Sequence, residues 1–423
     1  MARGLSTPGL QAAGNRGVPD DELTSAVAAA PATERIPLRD LALFFLRLGT
    51  TAFGGPAGHI AMMEDELVRR RKWLSREKFL DLLGASNLIP GPSSSELAIH
   101  IGYLRGGWPG LLVAGVCFVL PAAVMVAALA WAYLRFGTLP AAAAVLYGVK
   151  PVVIAVILQA LWGLGRSAVK SKLLALAGLL SIAAAVSGAP PILLLVGAGL
   201  AVALAGAVTG PAGQKEAMQF APLAALRSFL HRAPSIAAAG AAAIATPFSL
   251  ASLFLVFLKI GAVVFGSGYV LLVFLRADLV VQRHWLTDAQ LVDAIAIGQM
   301  TPGPVFTTAT FIGYLLAGAQ GAAVATIGVF LPAFVLVAAS GPLIPRIRES
   351  RIASSFLDGV IIASLALMTV ITWQLARASI TDAPTAILAI ASAVALLRFR
   401  LNSAWLVLTG AVAGWLIHAF RAA

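Results

Sequence analysis

FLRLGTTAFGG at residues 45–55 returns as FLKIGAVVFGS at residues 257–267, and WLSREKFLDLLGASNLIPGP at 73–92 returns as WLTDAQLVDAIAIGQMTPGP at 285–304. Each copy lies 212 residues after its original, and apolar sequence surrounds all four segments. Apolar segments that Gly and Pro interrupt at corresponding points of two halves are typical of transporters built from internal repeats. The duplication therefore favours movement of a solute across a bilayer over its chemical transformation.

The composition indicates a protein that is embedded in lipid. Hydrophobic residues make up 60% of the chain and charged residues only 11%, with a mean hydropathy of +0.92. A soluble domain carries about 25% charged residues. We therefore predict an all-α polytopic membrane protein. The net charge of +12 is explained by an excess of Lys and Arg in cytoplasmic loops, so no nucleic-acid partner is expected.

Apolar runs of about 20 residues predict five membrane-spanning helices in each half. In the first half they lie near 41–62, 109–134, 140–164, 173–188 and 190–209, and in the second half near 250–273, 320–341, 354–376, 382–397 and 402–420. The predicted organisation is a disordered tail at 1–38, a first transporter repeat at 39–210, a linker at 211–248 and a second repeat at 249–423.

The Pro-Gly-Pro segments allow two topologies. Residues 77–89 and 93–105 are each too short to cross a bilayer, and Pro residues between them interrupt any continuous helix. The segment is therefore either a kinked crossing helix or a re-entrant hairpin. Residues 63–79 contain six Lys and Arg residues, whereas their copy at 275–291 contains two.

Such an alternation of basic and non-basic loops is expected when two repeats are inserted in opposite orientations. We favour re-entrant hairpins, because five crossings per half is an odd number and inverts the second repeat. That count places the N-terminal tail on the face opposite the basic loops.

The helix breaks are the candidate substrate site, because irregular backbone at membrane depth is tolerated only beside protein or a watery cavity. A helix that restarts after a break offers free N–H groups and a positive dipole end to an anion. Hydroxyls at that point either bind the anion or only cap the helix. The candidates are Gly54, Gly55, Asn87, Pro90, Gly91, Pro92, Ser93, Ser94 and Ser95 in the first copy, and Gly266, Ser267, Gln299, Pro302, Gly303, Pro304, Thr307 and Thr308 in the second.

Four ionisable residues in apolar surroundings are further candidates. Arg47 and Lys259 occupy equivalent positions, and a buried cation costs roughly 2.5–3.5 kcal/mol on insertion scales, which suggests a compensating substrate anion; snorkelling to the interface is the alternative. Glu96 and His100 lie one turn apart after the first break. Either group is able to carry a coupling proton, or alternatively to form a structural hydrogen bond.

Motifs for enzymatic chemistry are missing from the sequence. It contains no phosphate-binding G-x-x-x-x-G-K-[ST], no H-E-x-x-H, no Cys/His cluster and no G-x-S-x-G. We therefore predict a protein that is not an enzyme and uses no cofactor or metal. Transport in such a protein depends on an ion gradient or on exchange.

The ordered set of motifs resembles the chromate ion transporter family in its long, two-domain form. The resemblance covers about residues 39–420 and rests on Phe53-Gly54-Gly55-Pro56 and Pro90-Gly91-Pro92, with second copies at Phe265-Gly266-Ser267-Gly268 and Pro302-Gly303-Pro304. One departure is visible, because Gly-Ser-Gly in the second copy replaces Gly-Gly-Pro in the first. The two halves are therefore not required to contribute equally to a site.

The resemblance implies a secondary transporter of the bacterial inner membrane that exports chromate, is driven by the proton gradient and confers chromate resistance. Its partners would be a chromate or sulfate-like oxyanion and membrane lipid, with a homodimer left open. Sulfate has nearly the same shape and charge, so a sulfate transporter or exchanger is an alternative, and a passive anion channel is another. The mechanism expected is rocking of one repeat against the other around a shared site.

Overall fold

The computed structural model describes residues 35–53, 55–137, 139–209, 248–265, 268–340, 350–399 and 401–422. Three candidate residues, Gly54, Gly266 and Ser267, lie outside this range, as do almost all of the predicted tail and linker. The first repeat contains α1 (Leu38–Thr51), α2 (Gly55–Glu64), α3 (Arg76–Ser86), α4 (Ser93–Phe136), α5 (Pro140–Ala168), α6 (Lys172–Val186) and α7 (Pro191–Thr209).

The second repeat has the same succession of seven helices. They are α8 (Leu250–Val263), α9 (Leu271–Leu275), α10 (Asp288–Met300), α11 (Thr308–Ser340), α12 (Arg351–Ser379), α13 (Ala383–Phe399) and α14 (Ser403–Ala422).

Local backbone geometry repeats as closely as the sequence does. Helix α2 continues as a π-helix at Asp65–Arg70, and α9 does so at Arg276–Gln282. Lys72 and His284, which are again 212 residues apart, both have a φ of 52°. An L-residue rarely adopts this conformation, so its occurrence at equivalent positions confirms that the two halves are structural copies.

Each repeat begins with a helical hairpin, which corrects the predicted spans near 41–62 and 250–273. Helix α1 ends at Thr51, and the chain returns alongside it, so that the ring of Trp73 lies 6.0 Å from that of Phe44. In the second repeat Lys259 on α8 forms an ion pair with Asp278 on the returning arm. Neither predicted span is therefore one continuous crossing helix.

A second hairpin follows, with the Pro-Gly-Pro segment at its tip. Helix α4 turns back on itself at Gly107 (φ 63°, ψ −152°), so that Gly102 packs against Gly110. The N–H of Ile36 donates to the carbonyl of Arg105 at 3.0 Å, which places the turn beside the start of α1. The Pro-Gly-Pro element is thus a re-entrant hairpin, and the kinked crossing helix is excluded.

We call the face at the Gly107 turn the first face and the face at the equivalent Gly318 turn the second face. Helix α1 starts on the first face, together with the basic segment after α2. The expectation that the chain enters the first repeat from the face opposite the basic loops is therefore wrong, because α1 and α2 fold back instead of crossing.

The repeats have opposite orientations. The second segments of α4 and α11 pack antiparallel, with Gly115 near the start of one against Phe334 near the end of the other. Near the end of the second segment of α4, the ring of Tyr133 contacts that of Phe311 on the first segment of α11, with 5.3 Å between the ring centroids. Equivalent helices that run antiparallel are related by an axis in the membrane plane, which is the geometry of inverted repeats.

Within the described part of the first repeat, four helical segments follow the two hairpins, an even number that does not by itself invert the second repeat. Helix α7 ends on the first face, where Gly206 lies against Ser355 near the start of α12. Helix α8 starts on the second face, where Phe248 contacts Trp285. Residues 210–247, which lie between these helices in sequence, are outside the described range.

Five of the described helices are long and apolar enough to cross a membrane. They are Ser93–Phe136, Pro140–Ala168, Val305–Ser340, Ile352–Ser379 and Ser403–Arg421. Four shorter apolar helices accompany them: Lys172–Val186, Pro191–Gly206, Leu250–Val263 and Ala383–Phe399. The prediction of an all-α polytopic membrane protein is confirmed.

The helices pack into two bodies, and each body combines elements of both repeats. The hairpin body contains α1–α4 and α8–α11, in which α1 packs on α4, α8 on α11, and α4 on α11. The helix body contains α5–α7 and α12–α14, in which α5 packs on α13 and α14, and α12 packs on α6 and α7. The packing units of the molecule are therefore not its sequence repeats.

Close backbone contact at the α4 hairpin predicts a large effect of added volume. A Cβ atom on Gly102 would lie 2.3 Å from the carbonyl oxygen of Gly110, which cannot move away without shifting the helix. We expect Gly102→Val to lower the free energy of unfolding by about 1–3 kcal/mol. Gly165→Ala is the control, because no atom lies within 4 Å of the added carbon. Thermal unfolding in detergent measures both, and equal melting temperatures would contradict the packing described.

Candidate functional site

The four hairpin tips meet at the centre of the hairpin body through reciprocal hydrogen bonds. The N–H of Gly91 donates to the carbonyl of Val264 at 2.7 Å, and the N–H of Gly303 donates to the carbonyl of Ala52 at 2.9 Å. Each bond joins the Pro-Gly-Pro tip of one repeat to the first hairpin of the other. Both glycines have positive φ values, 141° and 92°, which other residues rarely adopt.

These bonds also change the predicted role of the two central glycines. Their amides already have carbonyl partners from the opposite repeat, so they are not free to bind an anion. Their observed role is to close the backbone hydrogen bonds of the two breaks where water does not supply partners.

An open cavity of about 660 Å³ lies between the first-repeat hairpin tips and the helix body. Its polar side-chain groups are a guanidinium, an indole N–H, three hydroxyls and two amides, a set suited to a small oxyanion. The volume is within the usual range for small-molecule sites. The hairpin side consists of Pro56, Ala57, Ile60, Asn87, Ser93 and Tyr269, and the helix side of Val156, Gln159, Ala160, Trp162, Gly163, Leu164, Arg166, Leu396, Leu397 and Ser403.

The cavity lies on the first-face side of the molecule. Arg166 is two residues from the end of α5, and Ser403 is the first residue of α14, both of which are helix ends at this face. The opposite ends of the same helices meet on the second face, where Tyr147 donates to Asp382 at 2.5 Å and Arg421 pairs with the same carboxylate. Arg166 is exposed, so its guanidinium is accessible to water on this face.

Two predicted residues, Asn87 and Ser93, line this cavity directly. Ser93 is also the first residue of α4, so that helix begins at the cavity wall. Ser94 lies instead against His59, with 3.2 Å between its Oγ and the imidazole Nδ1. The Nε2 of His59 is 3.2 Å from the carbonyl oxygen of Ala52, so His59 ties both first-repeat hairpins together.

The second copy of the break is closed and apolar by comparison. Leu271 and Phe306 stand where the first copy has His59 and Ser94. The predicted hydroxyls of Thr307 and Thr308 are buried and donate to the carbonyls of Pro304 and Val305, at 2.7 and 2.8 Å. Gln299 lies 3.5 Å from the hydroxyl of Tyr269. The two second-copy hydroxyls thus bond to nearby backbone carbonyls, and neither forms a side-chain cap at the start of the short helix Val305–Thr307.

Glu96 is buried without compensation on the first segment of α4. Within the described residues, neither of its carboxylate oxygens has a hydrogen-bond partner, and the same holds for Ser95 Oγ and His100 Nε2. The carboxyl group lies against the tip, since a Cβ atom on Gly91 would be 2.2 Å from Glu96 Oε1. A charged carboxylate without partners is strongly disfavoured in such surroundings.

Arg47 and Lys259 do not converge on the cavity. Lys259 forms its ion pair with Asp278 inside the first hairpin of the second repeat. Arg47 is exposed and lines a separate groove of about 390 Å³, together with Glu66, the equivalent of Asp278. The structure therefore places both cations between the arms of their own hairpins.

Sequence reasoning did not select Gln159, Arg166 or Tyr269 as site residues, although all three line the cavity. A signal was present for Arg166, because Trp162 and Arg166 recur together 211 residues later as Trp373 and Arg377. No comparable signal marks Gln159, whose equivalent is a valine.

Comparison with known proteins supplies the family. The family model described as chromate transporter matches residues 39–206 and 251–415. The chain is 36% identical to the chromate transport protein of Cupriavidus metallidurans, over 93% of this chain and 95% of that protein. It is 32% identical to the probable chromate transport protein of Synechococcus elongatus, over 89% and 95%, and 32% identical to the chromate transport protein of Pseudomonas aeruginosa, over 88% and 91%.

No solved structure matches the chain significantly. The relatives are named as transporters, which confirms the prediction that the protein is not an enzyme. With the family model on both repeats and these relatives along nearly the whole chain, the protein belongs to the chromate transporter family.

Proposed function

We propose that this protein exports chromate from the bacterial cytoplasm across the inner membrane, with the proton gradient as driving force. The observation that carries the proposal is the cavity between the two bodies, which Arg166 of the helix body lines together with Asn87 and Ser93 of the hairpin body. Chromate is a tetrahedral dianion, and a guanidinium with hydroxyl and amide donors is suited to its oxygens.

The distribution of charge supports export as the direction of transport. Basic loop residues are concentrated on the first face, and cytoplasmic loops carry the excess of Lys and Arg. The cavity then faces the cytoplasm, where an exporter loads its substrate. Continuous export keeps cytoplasmic chromate low, which is the physical basis of resistance. The basic residues on this face include Arg69, Arg70, Arg71, Lys72, Arg76, Lys78, Lys170, Lys172 and Arg398.

Glu96 is the residue that we assign to the coupling proton, with His100 one turn further along the same helix. Its carboxyl group is buried directly behind the tip that carries Ser93, so a change in its charge alters the field at the substrate end of the helix. Because charge there is strongly disfavoured, release of the proton is tied to a conformation in which the group meets water or a partner.

Arg166→Gln tests the anion site. A hydrogen bond to a charged group contributes about 1.5–3 kcal/mol, so we expect counterflow of labelled chromate in proteoliposomes to fall by about tenfold or more. Lys172→Gln is the matched control, since Lys172 is a basic residue on the same face that lies outside the cavity. Equal rates in the two variants would remove Arg166 from the site. Competition by unlabelled sulfate in the same assay separates a chromate carrier from a sulfate carrier.

Glu96→Gln tests the coupling. The amide keeps the shape of the side chain but cannot carry the proton, so we expect chromate accumulation driven by an imposed pH difference to be lost, while chromate–chromate counterflow persists. Glu66→Gln is the control, because Glu66 lies on the returning arm of the first hairpin and outside the cavity. We expect this variant to keep both activities. Accumulation at the wild-type level in Glu96→Gln would assign the proton elsewhere. Chromate flux that follows voltage alone would favour a channel.

A further inference from the structure

The two repeats contact the helix body differently. In the first repeat, α1, α2 and α3 pack extensively only on other parts of the hairpin body, and the cavity separates them from α5. In the second repeat, α10, which is the equivalent of α3, packs on α5, α12 and α14. The interface between the bodies is therefore open on the first face and closed on the second.

An ion pair holds the closed side together. Lys150 Nζ of the helix body lies 2.8 Å from Asp293 Oδ1 of the hairpin body. The side chain of Asp293 is 8% exposed and that of Lys150 is 23% exposed, so the pair is largely shielded from water. Removing one partner of a buried pair is costly, because the other charge is left without compensation.

Tyr133 supports the acidic partner from within the hairpin body. Its hydroxyl donates to Asp293 Oδ2 at 2.9 Å, whereas Lys150 lies closest to the other carboxylate oxygen, Oδ1. When Lys150 moves away, this bond remains available, because Tyr133 and Asp293 belong to the same body. Asp293 therefore keeps a partner in both arrangements, and separation of the bodies breaks only the contact with Lys150.

The inverted repeats define what the opposite arrangement looks like. Exchange of the conformations of the two repeats would separate α10 from α5 and close α3 against the helix body. The cavity would then form on the second face. Gln299 would take the place of Asn87, and Trp373 and Arg377 would take the places of Trp162 and Arg166.

We propose that Lys150 and Asp293, with Tyr133 as the positioning residue, form the second-face gate of an alternating-access cycle in which the hairpin body moves against the helix body. This mechanism rests on the proposed transport function, and it replaces rocking of one repeat against the other. Arg377 is assigned as the cation at the open end of the cavity in the opposite state, and Arg166 has that role in the state described.

Thiol labelling measures this gate without substrate, so its result does not depend on whether chromate is the cargo. In a Cys117→Ala background, Asn87→Cys reports on the first-face cavity and Gln299→Cys on its second-face counterpart. We expect Asp293→Asn to raise the rate at which an impermeant maleimide labels Q299C from the second face by about tenfold, and to lower labelling of N87C from the first face.

Asp358→Asn is the matched control, because the Lys170–Asp358 pair (2.9 Å) also joins the two repeats but lies within the helix body. It should change neither labelling rate. Lys150→Met gives a second reading if Asp293→Asn fails to fold, and the exchange Lys150→Asp with Asp293→Lys should move both rates back toward the parent. The gate is refuted if Asp293→Asn and Asp358→Asn label alike, or if labelling of both reporters rises together.

Discussion

Every backbone polar group that enters the apolar interior needs a partner there, and the four broken hairpins satisfy this constraint only together. The N–H of Gly91 reaches the carbonyl of Val264, and the N–H of Gly303 reaches that of Ala52. Each bond crosses from one repeat to the other, so neither repeat completes its breaks alone. The inverted arrangement of the repeats is therefore a condition for the breaks to exist, and the central position of the breaks follows from it.

The duplicated backbone carries unequal side chains. The first copy places Ser93, Glu96 and His59 around its tip, whereas the second places Val305, Thr308 and Leu271 at the equivalent positions. Around the described first-copy tip, Ser95, Glu96 and His100 have buried polar atoms without a hydrogen-bond partner, whereas the second-copy hydroxyls bond to their own backbone. A symmetric scaffold with one polar tip supports a single loading site, on the first face. The cavity proposed for the second face in the opposite state would have a cation but fewer hydroxyls.

The arrangement of bodies separates the rigid contacts from the contacts that are able to change. Within the hairpin body, glycine-lined contacts such as Gly102 on Gly110 and Gly313 on Gly321 bring backbones together and leave little room for sliding. Between the bodies, the first-repeat side is a cavity. On the second-repeat side, α10 packs on the helix body, and the shielded Lys150–Asp293 ion pair joins the two bodies. Motion is therefore expected at the interface between the bodies, because fewer packing contacts have to break there than within either body.

By itself, the sequence determined the membrane class, the duplication, the opposed orientation of the halves and the positions of the breaks, because hydropathy, Gly and Pro spacing and loop charge act locally along the chain. For the same reason it selected Asn87 and Ser93, which line the cavity. Tertiary structure alone decided that 41–62 folds back, that Arg47 and Lys259 stay within their own hairpins, and that Gln159, Arg166 and Tyr269 share a cavity. The shared cavity depends on which distant helices pack together, because Tyr269 lies more than 100 residues from Gln159 and Arg166 in sequence, and no local pattern encodes that packing.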